Sequence, residues 1–290
     1  MKYLYYPGCT LYTKAKDFDN SIRAVSGYLG IDLKEMPNWY CCGTVATLTV
    51  DYKIGLLSPL RNLAKARKEN MDLITTCSAC YNVLKRTNFR VNNNKEELDI
   101  LNDHLGESYD GGQVILHLLE VFRDRIGFDR LREKVKKRLA GLKIAPYYGC
   151  LLLRPQKELN FDDPENPTLL DQLFNTLGAT VIDHSFKGEC CGAYLIVNAP
   201  DLAIEASYRI LKHISKKGAE AVATSCPLCH YNLDALQAKM KEKYPDFVNI
   251  PIFYFTQLMA VSFGLDETVW GLSKNKVETR SVLIKHKLLS

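Results

Sequence analysis

No run of eighteen apolar residues occurs in this chain of 290 residues, so nothing in it reads as a bilayer-crossing helix. The opening stretch, Met1-Lys-Tyr-Leu-Tyr-Tyr-Pro-Gly-Cys9, lacks the apolar segment of a secretory signal, and the expectation is a cytoplasmic protein. Charge of one sign is scarce. A net charge of +5 is too diffuse to argue for a nucleic-acid partner, although small anions or an acidic partner would be tolerated. Gly-x-Gly-x-x-Gly and the P-loop are both missing, so nothing supports a self-sufficient flavin or nucleotide enzyme. The C-x2-C-x2-C-x3-C-P run of bacterial ferredoxins is missing too. The last absence is the informative one: of the ten cysteines, none falls outside two matching sets.

Cys9, Cys41-Cys42 and Cys77-x-x-Cys80 recur as Cys150, Cys190-Cys191 and Cys226-x-x-Cys229. In both copies 34 residues separate the adjacent pair from the C-x-x-C pair, and Gly43 or Gly192 follows the adjacent pair. The first gap differs, at 31 residues against 39. The repeat extends further, because the aromatic-rich stretch before Cys9 matches Leu142-Lys-Ile-Ala-Pro-Tyr-Tyr-Gly-Cys150. With 47% hydrophobic and 24% charged residues the composition is that of a folded globular protein. The length allows two domains, each with its own core.

In each half an opening strand leads to a Gly-Cys turn and then a helical stretch ending at Leu29-Gly30 or Leu177-Gly178. Short strands are expected at 31–36 and 180–183, and buried ones at 71–76 and 219–225, the latter pair running straight into C-x-x-C. Residues 113–126 and 251–263 read as closing helices, the first with an apolar stripe at Leu116, Leu119 and Phe122. Residues 92–95 and 155–167 read as surface loops, and the basic run from Arg130 to Lys143 as a solvated helix face. The fold class is therefore α/β: two related, mostly parallel domains from an internal duplication, over residues 1–143 and 144–290. Parallel strands would gather Cys9, Cys77 and Cys80 at one edge of the sheet, where ligands collect.

Cytosolic thiols in such numbers point to metal binding or catalysis before disulfides. Disulfides fit least, since five cysteines per half is an odd number and adjacent Cys-Cys bridges are strained. A thioredoxin-like exchange centre would leave most of the thiols unused. Structural zinc takes four ligands, so five thiolates exceed it, although one could stand by. An iron–sulfur cluster fits best, because adjacent cysteines can reach neighbouring irons. Each C-x-x-C pair is expected at a helix N-terminus, where the dipole and free N–H groups favour thiolate; Pro227 suits a first helical turn.

The twice-filled pattern Cys9-x31-Cys41-Cys42-Gly43-x33-Cys77-x2-Cys80 resembles the cysteine-rich CCG domain. A chain built of two such domains is similar to the B subunit of the heterodisulfide reductases of methanogenic archaea. The resemblance implies a non-cubane [4Fe-4S] cluster in each half, one on Cys9, Cys41, Cys42, Cys77 and Cys80. The other would sit on Cys150, Cys190, Cys191, Cys226 and Cys229. It implies that the two halves face each other across a pseudo-twofold axis, and that the mixed disulfide of coenzyme M and coenzyme B is cleaved between the clusters. It also implies two partners, a ferredoxin-like subunit and a flavin-containing one, with a hydrogenase or formate dehydrogenase beyond. CCG domains also occur in oxidoreductases acting on quinones or other disulfides, and a non-catalytic metal-binding scaffold stays open.

Both coenzymes are anionic, so Arg154 and Lys187 near the second set, and Lys53, Lys85 and Arg86 near the first, are candidate anion clamps. His230, directly after Cys229, is either a proton donor or a packed helix residue, and His184 is similarly ambiguous. Tyr5, Tyr6, Tyr147 and Tyr148 read as wall and core. Gly8, Gly43, Gly149 and Gly192 read as points of close backbone approach.

Overall fold

The computed structural model describes residues 1–44, 51–106 and 108–289. The first half is built on β1 (Lys2–Tyr5), β2 (Asp32–Glu35), β3 (Leu73–Thr75) and β4 (Ile115–His117). The second repeats it with β5 (Lys143–Tyr147), β6 (Thr180–Val181), β7 (Ala221–Thr224) and β8 (Ile252–Tyr254). All pairings are parallel, in the orders β2-β1-β3-β4 and β6-β5-β7-β8. The same order twice is the duplicated α/β architecture read from the sequence. Every residue of β3 and β7 is buried, which explains their apolar runs: helices cover a parallel sheet on both faces.

Pro146 sits inside β5, a strand flanked on both sides, where a missing N–H would ordinarily break a ladder. It is tolerated because β6 pairs only Lys143 and Ile144 before it ends. The freed Pro146 carbonyl accepts from His184 Nε2 at 2.9 Å.

Four expectations need correction. Residues 113–126 and 251–263 do not form helices throughout: each first contributes a three-residue edge strand, β4 or β8. Helices follow at Leu118–Val121, continuing as the π-helical turn Phe122–Ile126, and at Phe255–Ser262. Leu116 of the apolar stripe is thus a strand residue. The switch needs no Gly or Pro, because His117 and Glu120 cap the first helix reciprocally and the Gln257 side chain accepts from the Tyr254 N–H at the start of the second. The basic helix stops early, at Glu133, and the N–H groups of Lys136 and Lys137 then both donate to the Ser262 carbonyl. Residues 155–167 are not simply a surface loop. They carry a helical turn, Gln156–Leu159, and bury Leu159 and Phe161, with the Phe161 ring 5.6 Å from His117 of the other half.

That contact belongs to a wider exchange. The helix Lys16–Tyr28 of the first half packs on Phe255–Ser262 of the second, with Phe18 stacked on Tyr254 at 3.9 Å and Ser21 hydrogen-bonded to Thr256 at 2.6 Å. Asn82 of the first half ties down the turn after Cys150 by donating to the Leu151 and Arg154 carbonyls, at 2.7 and 2.8 Å. One hydrophobic core accordingly runs through both halves, and a smaller one lies within the second. The separate core expected for each half is replaced by a shared one, because these helices are apolar toward the partner half as well as toward their own sheet.

Candidate metal centres

β1 and β5 each end in a turn whose glycine has positive φ, Gly8 at +72° and Gly149 at +69°. A side chain would be strained there, and it would also collide with sulfur. A Cβ at Gly8 would stand 2.9 Å from Cys80 Sγ, and one at Gly149 3.0 Å from Cys229 Sγ. Glycine therefore lets the backbone lie against the thiols, as the sequence suggested. Two residues earlier, a buried tyrosine holds the next part of the set. Tyr6 donates to the Tyr40 carbonyl at 2.7 Å, and Tyr147 to the Glu189 carbonyl at 2.6 Å. Tyr40 and Glu189 immediately precede the adjacent cysteine pairs, so each opening strand positions its own Cys-Cys turn.

Further bonds lock these turns. In the first half Asn62 exchanges hydrogen bonds with the Tyr40 backbone, and Ser58 donates to the Cys41 carbonyl. In the second, Ser207 and Asn232 both donate to the Cys191 carbonyl, at 3.0 and 2.9 Å. The C-x-x-C pairs arrive from β3 and β7, whose ends place Cys77 and Cys226 as N-cap residues of the helices Ser78–Asn92 and Pro227–Ala235. That is the placement expected from sequence, with Pro227 in the first turn.

The five thiols of the first set line one cavity of about 140 Å³. Cys9 and Cys41 face solvent, while Cys42, Cys77 and Cys80 are buried. Cys9 and Cys41 sulfurs are 3.7 Å apart, and those of Cys42 and Cys80 3.5 Å. The second set repeats this, with Cys190 exposed, Cys150 half-buried and Cys191, Cys226 and Cys229 buried. The sulfurs form a lining and not a ready-made shell for one ion: among the described residues no three His, Cys, Asp or Glu side chains are so grouped.

Crowded thiols cannot all ionise. A hydrogen bond from Cys150, helped by the Gly192 and Ala193 N–H groups, lowers Cys190 to about 6 against the cost of burial. The same bond pushes Cys150 up. Cys42 is lowered by its bonds with Cys41 and Cys80, and Cys226 by Cys229 and Cys77, while Cys77, Cys80 and Cys229 are raised. Thiols that ionise more readily, Cys42 in the first set and Cys190 and Cys226 in the second, thus sit among neighbours that resist ionisation. Cations would let the remainder deprotonate, so this donor set suits a group carrying several soft metal ions.

The two sets also meet. Ser78 and Ser225, which flank Cys77 and Cys226 in sequence, bring their hydroxyls 2.9 Å apart, and Cys226 is the chief influence raising Cys77. Leu228, from the second half, lines the first set's cavity.

The remaining candidates lie elsewhere in the hydrogen-bond network. Lys187 is 5% exposed and bonded to Asp171 and Asp183 at 2.6 and 2.8 Å, so its charge is spent inside the second half. Arg154 donates to the Gly188 and Pro164 carbonyls and pairs with Glu165. Lys85 is bonded to Tyr81 and lies 3.5 Å from Glu120. His230 is buried, stacks on Tyr254 at 4.0 Å and is pushed down to about 4 by burial. This is the packed arrangement, not that of a proton donor. Sequence reasoning did not single out Thr44 or Leu228, which line the first set's cavity and which no spacing marks.

Fold and site together define a duplicated α/β protein with two thiolate centres in contact. The chain belongs to the CCG cysteine-rich domain family, whose pattern matches residues 3–85 and 144–234. It is 32% identical over 280 residues to the membrane anchor subunit of the 8-methylmenaquinol:fumarate reductase of Wolinella succinogenes, covering 96% of this chain and 97% of that protein. It is 28% identical over 284 residues to the B subunit of the ferredoxin:CoB-CoM heterodisulfide reductase of Methanosarcina mazei, covering 96% and 94%. These matches agree with the resemblance read from the cysteines. In fold, it superposes with TM-score 0.76 and 15% identity on the crystal structure of a hypothetical protein from Helicobacter pylori, over 96% of this chain and 52% of that one. The chain thus spans about half the length of that solved protein. No helix among the described residues is long and apolar enough to cross a membrane.

Proposed function

We propose that this chain is the catalytic component of a cytoplasmic complex of the heterodisulfide reductase type, cleaving a mixed disulfide between its two cysteine sets. Coarsely, its relatives support a component of an oxidoreductase complex. The observation that carries the finer reading is the 2.9 Å hydrogen bond between the Ser78 and Ser225 hydroxyls, next to Cys77 and Cys226, which brings two equivalent centres to one place. A disulfide needs two electrons, and paired sites can supply one each.

Cys9, Cys41, Cys42, Cys77 and Cys80 would hold one [4Fe-4S] cluster, and Cys150, Cys190, Cys191, Cys226 and Cys229 the other. When bound, such clusters supply one-electron redox chemistry and sites with affinity for sulfur. The chain's own residues do the rest. The glycine turns hold the backbone against the thiols, and the tyrosine bonds fix each Cys-Cys turn. Leu228, Ala79 and the buried cysteines exclude water from the inner side of the first cavity, while Cys9 and Cys41 lie toward solvent. Electrons would come from ferredoxin-like and flavin-containing partners.

The mixed disulfide of coenzymes M and B is the substrate to test, with reduced viologen as artificial donor under anaerobic conditions. Iron-replete protein in its complex is expected to carry about eight irons and to release thiols. Iron without thiol release would refute this substrate. The match to the Wolinella protein favours a second reading, electron exchange with a methylmenaquinol, and oxidation of a menaquinol analogue without thiol release would select it.

A further inference from the structure

The two centres reach solvent on faces of opposite character. In the first half the exposed sulfurs are Cys9 and Cys41, 3.7 Å apart, and aromatic rings stand on their rim. Tyr12, one turn past Cys9 in the helix Gly8–Tyr12, is 63% exposed, and Tyr40, directly before Cys41, is 44% exposed. Trp39 meets Tyr12 edge-on at 5.7 Å, and a hollow of about 430 Å³ is walled by these two rings and by Asn38. Positive charge covers the same rim. Arg61 and Lys65, on successive turns of the helix Tyr52–Lys68, stand 5.2 and 4.4 Å from the Tyr40 ring. Lys65 also donates to the Asn38 carbonyl at 2.7 Å, and the exposed Lys14 follows Tyr12 by two residues. Among the described residues none of these three cations has a carboxylate partner, whereas Glu35 and Glu69 at the margin are held by Arg23 and Lys34, each at 2.6 Å.

The second half reverses the sign. Cys190 is exposed there, but the residue before it is the exposed acid Glu189. Glu189 holds the place of Tyr40, since its carbonyl takes the Tyr147 hydroxyl as that of Tyr40 takes Tyr6. The cations of this half are spent: Lys187 pairs with both Asp171 and Asp183, and Arg154 with Glu165. Glu165 belongs to the acidic run Asp162-Asp163-Pro164-Glu165, part of the longer first gap of this copy. A shared ancestry would have given both faces one character, so the contrast is a property of each half by itself.

We infer that an acidic one-electron carrier protein docks on the first half, over Cys9 and Cys41, and that electrons enter the molecule there. The inference rests on the reductase reading, which makes the first set a redox centre. Carboxylates of the carrier face Lys14, Arg61 and Lys65, and one of its apolar side chains enters the hollow beside Trp39. Exposed tyrosine, tryptophan and arginine are the residues that protein interfaces favour. Opposite charge speeds the encounter and fixes its orientation, and the same carrier is repelled by Glu189 and its neighbours at the second set. The step balances without proton or bond changes: the reduced carrier loses one electron and the first centre gains it.

The experiment uses the iron-loaded full-length chain, with a plant-type ferredoxin as the acidic carrier. Binding is measured by titration calorimetry at low and high salt, and reduction of the iron centres by stopped-flow absorbance. The wild type is compared with the triple variant Lys14→Glu, Arg61→Glu, Lys65→Glu and with Arg138→Glu, a charge reversal in the basic run at the join of the halves. The wild type is expected to bind at low salt and to weaken as salt rises. The triple variant should bind and be reduced about tenfold or more less well, with iron content unchanged, while Arg138→Glu behaves as wild type. If the triple variant loses iron, Lys14→Glu carries the comparison, since that side chain makes no bond among the described residues. No binding by the wild type, binding indifferent to salt, equal binding by the patch variants, or an equal loss in Arg138→Glu overturns the docking face. Ferredoxin binding as expected with no thiol released from any disulfide leaves the face standing and refutes the reductase reading. Iron centres that take no electron from ferredoxin or viologen refute both.

Discussion

At the scale of single residues the two centres depend on atoms that are not there. Gly8 and Gly149 are read from the sequence as points of close backbone approach, and the structure shows why no other residue serves: positive φ and a sulfur inside van der Waals distance. Gly8→Ala is expected to displace Cys80 and empty the first centre while leaving the second. Iron should fall from about eight to about four per chain, with the circular dichroism spectrum unchanged, and Gly149→Ala should do the same at the other centre. Loss of all iron from either variant would show that the centres assemble only together. The ten cysteines were legible because their spacing repeats, a signal independent of packing. The surroundings of Lys187 and Arg154 were not legible, for the opposite reason. A cation near a cysteine in sequence says nothing about its partners: Asp183 is four residues from Lys187, whereas Asp171 and Glu165 lie 16 and 11 residues from the cations they pair with.

Among elements, the strands leading into cysteines were readable, as were the edge strands β2 and β6, and the opposite edges β4 and β8 were not. β3 and β7 stand out as apolar runs ending in C-x-x-C, whereas β4 and β8 are three residues long and flow into helices with no breaker between. What marks the change is His117, whose Nδ1 accepts from Leu119 N–H at 3.2 Å while Nε2 donates to the Thr76 carbonyl at 2.9 Å. Protonation would abolish the Nδ1 bond, so only the neutral ring makes both at once. Burial lowers His117 to about 4, and lowers His184, bonded to Pro146, to about 4 as well. Free histidine titrates near 6.5, so between that value and about 4 the unfolded chain binds protons that the folded one refuses. Stability from these two groups is complete above pH 6.5 and is lost as pH falls toward 4, by up to about 3 kcal/mol each. Urea midpoints measured at pH 7.5, 6 and 5 should fall in that order, and equal midpoints would remove these histidines from the account.

For the whole molecule the decisive feature is the shared core. The sequence showed two copies and suggested two independent domains, over residues 1–143 and 144–290. Nothing local in it could reveal that Phe18 would stack on Tyr254 or Phe161 approach His117, since those contacts join residues 236 and 44 apart. The copies are units of descent more than units of folding. Residues 144–290 expressed alone would leave Tyr254, Phe255 and Phe263 without the helix Lys16–Tyr28 that covers them. That fragment is expected to aggregate or to bind a hydrophobic dye without a cooperative urea transition, while the full chain unfolds in one step. A sharp transition in the isolated segment would contradict this.

Mutual closure of this kind is the geometry of a symmetric dimer whose two chains have been joined end to end. A pair of identical chains must place the same residue on both sides of its axis, so every change arrives twice. Once the two are one polypeptide that obligation ends. Position 194 can be tyrosine while its counterpart, position 45, is valine, each half free to change by itself.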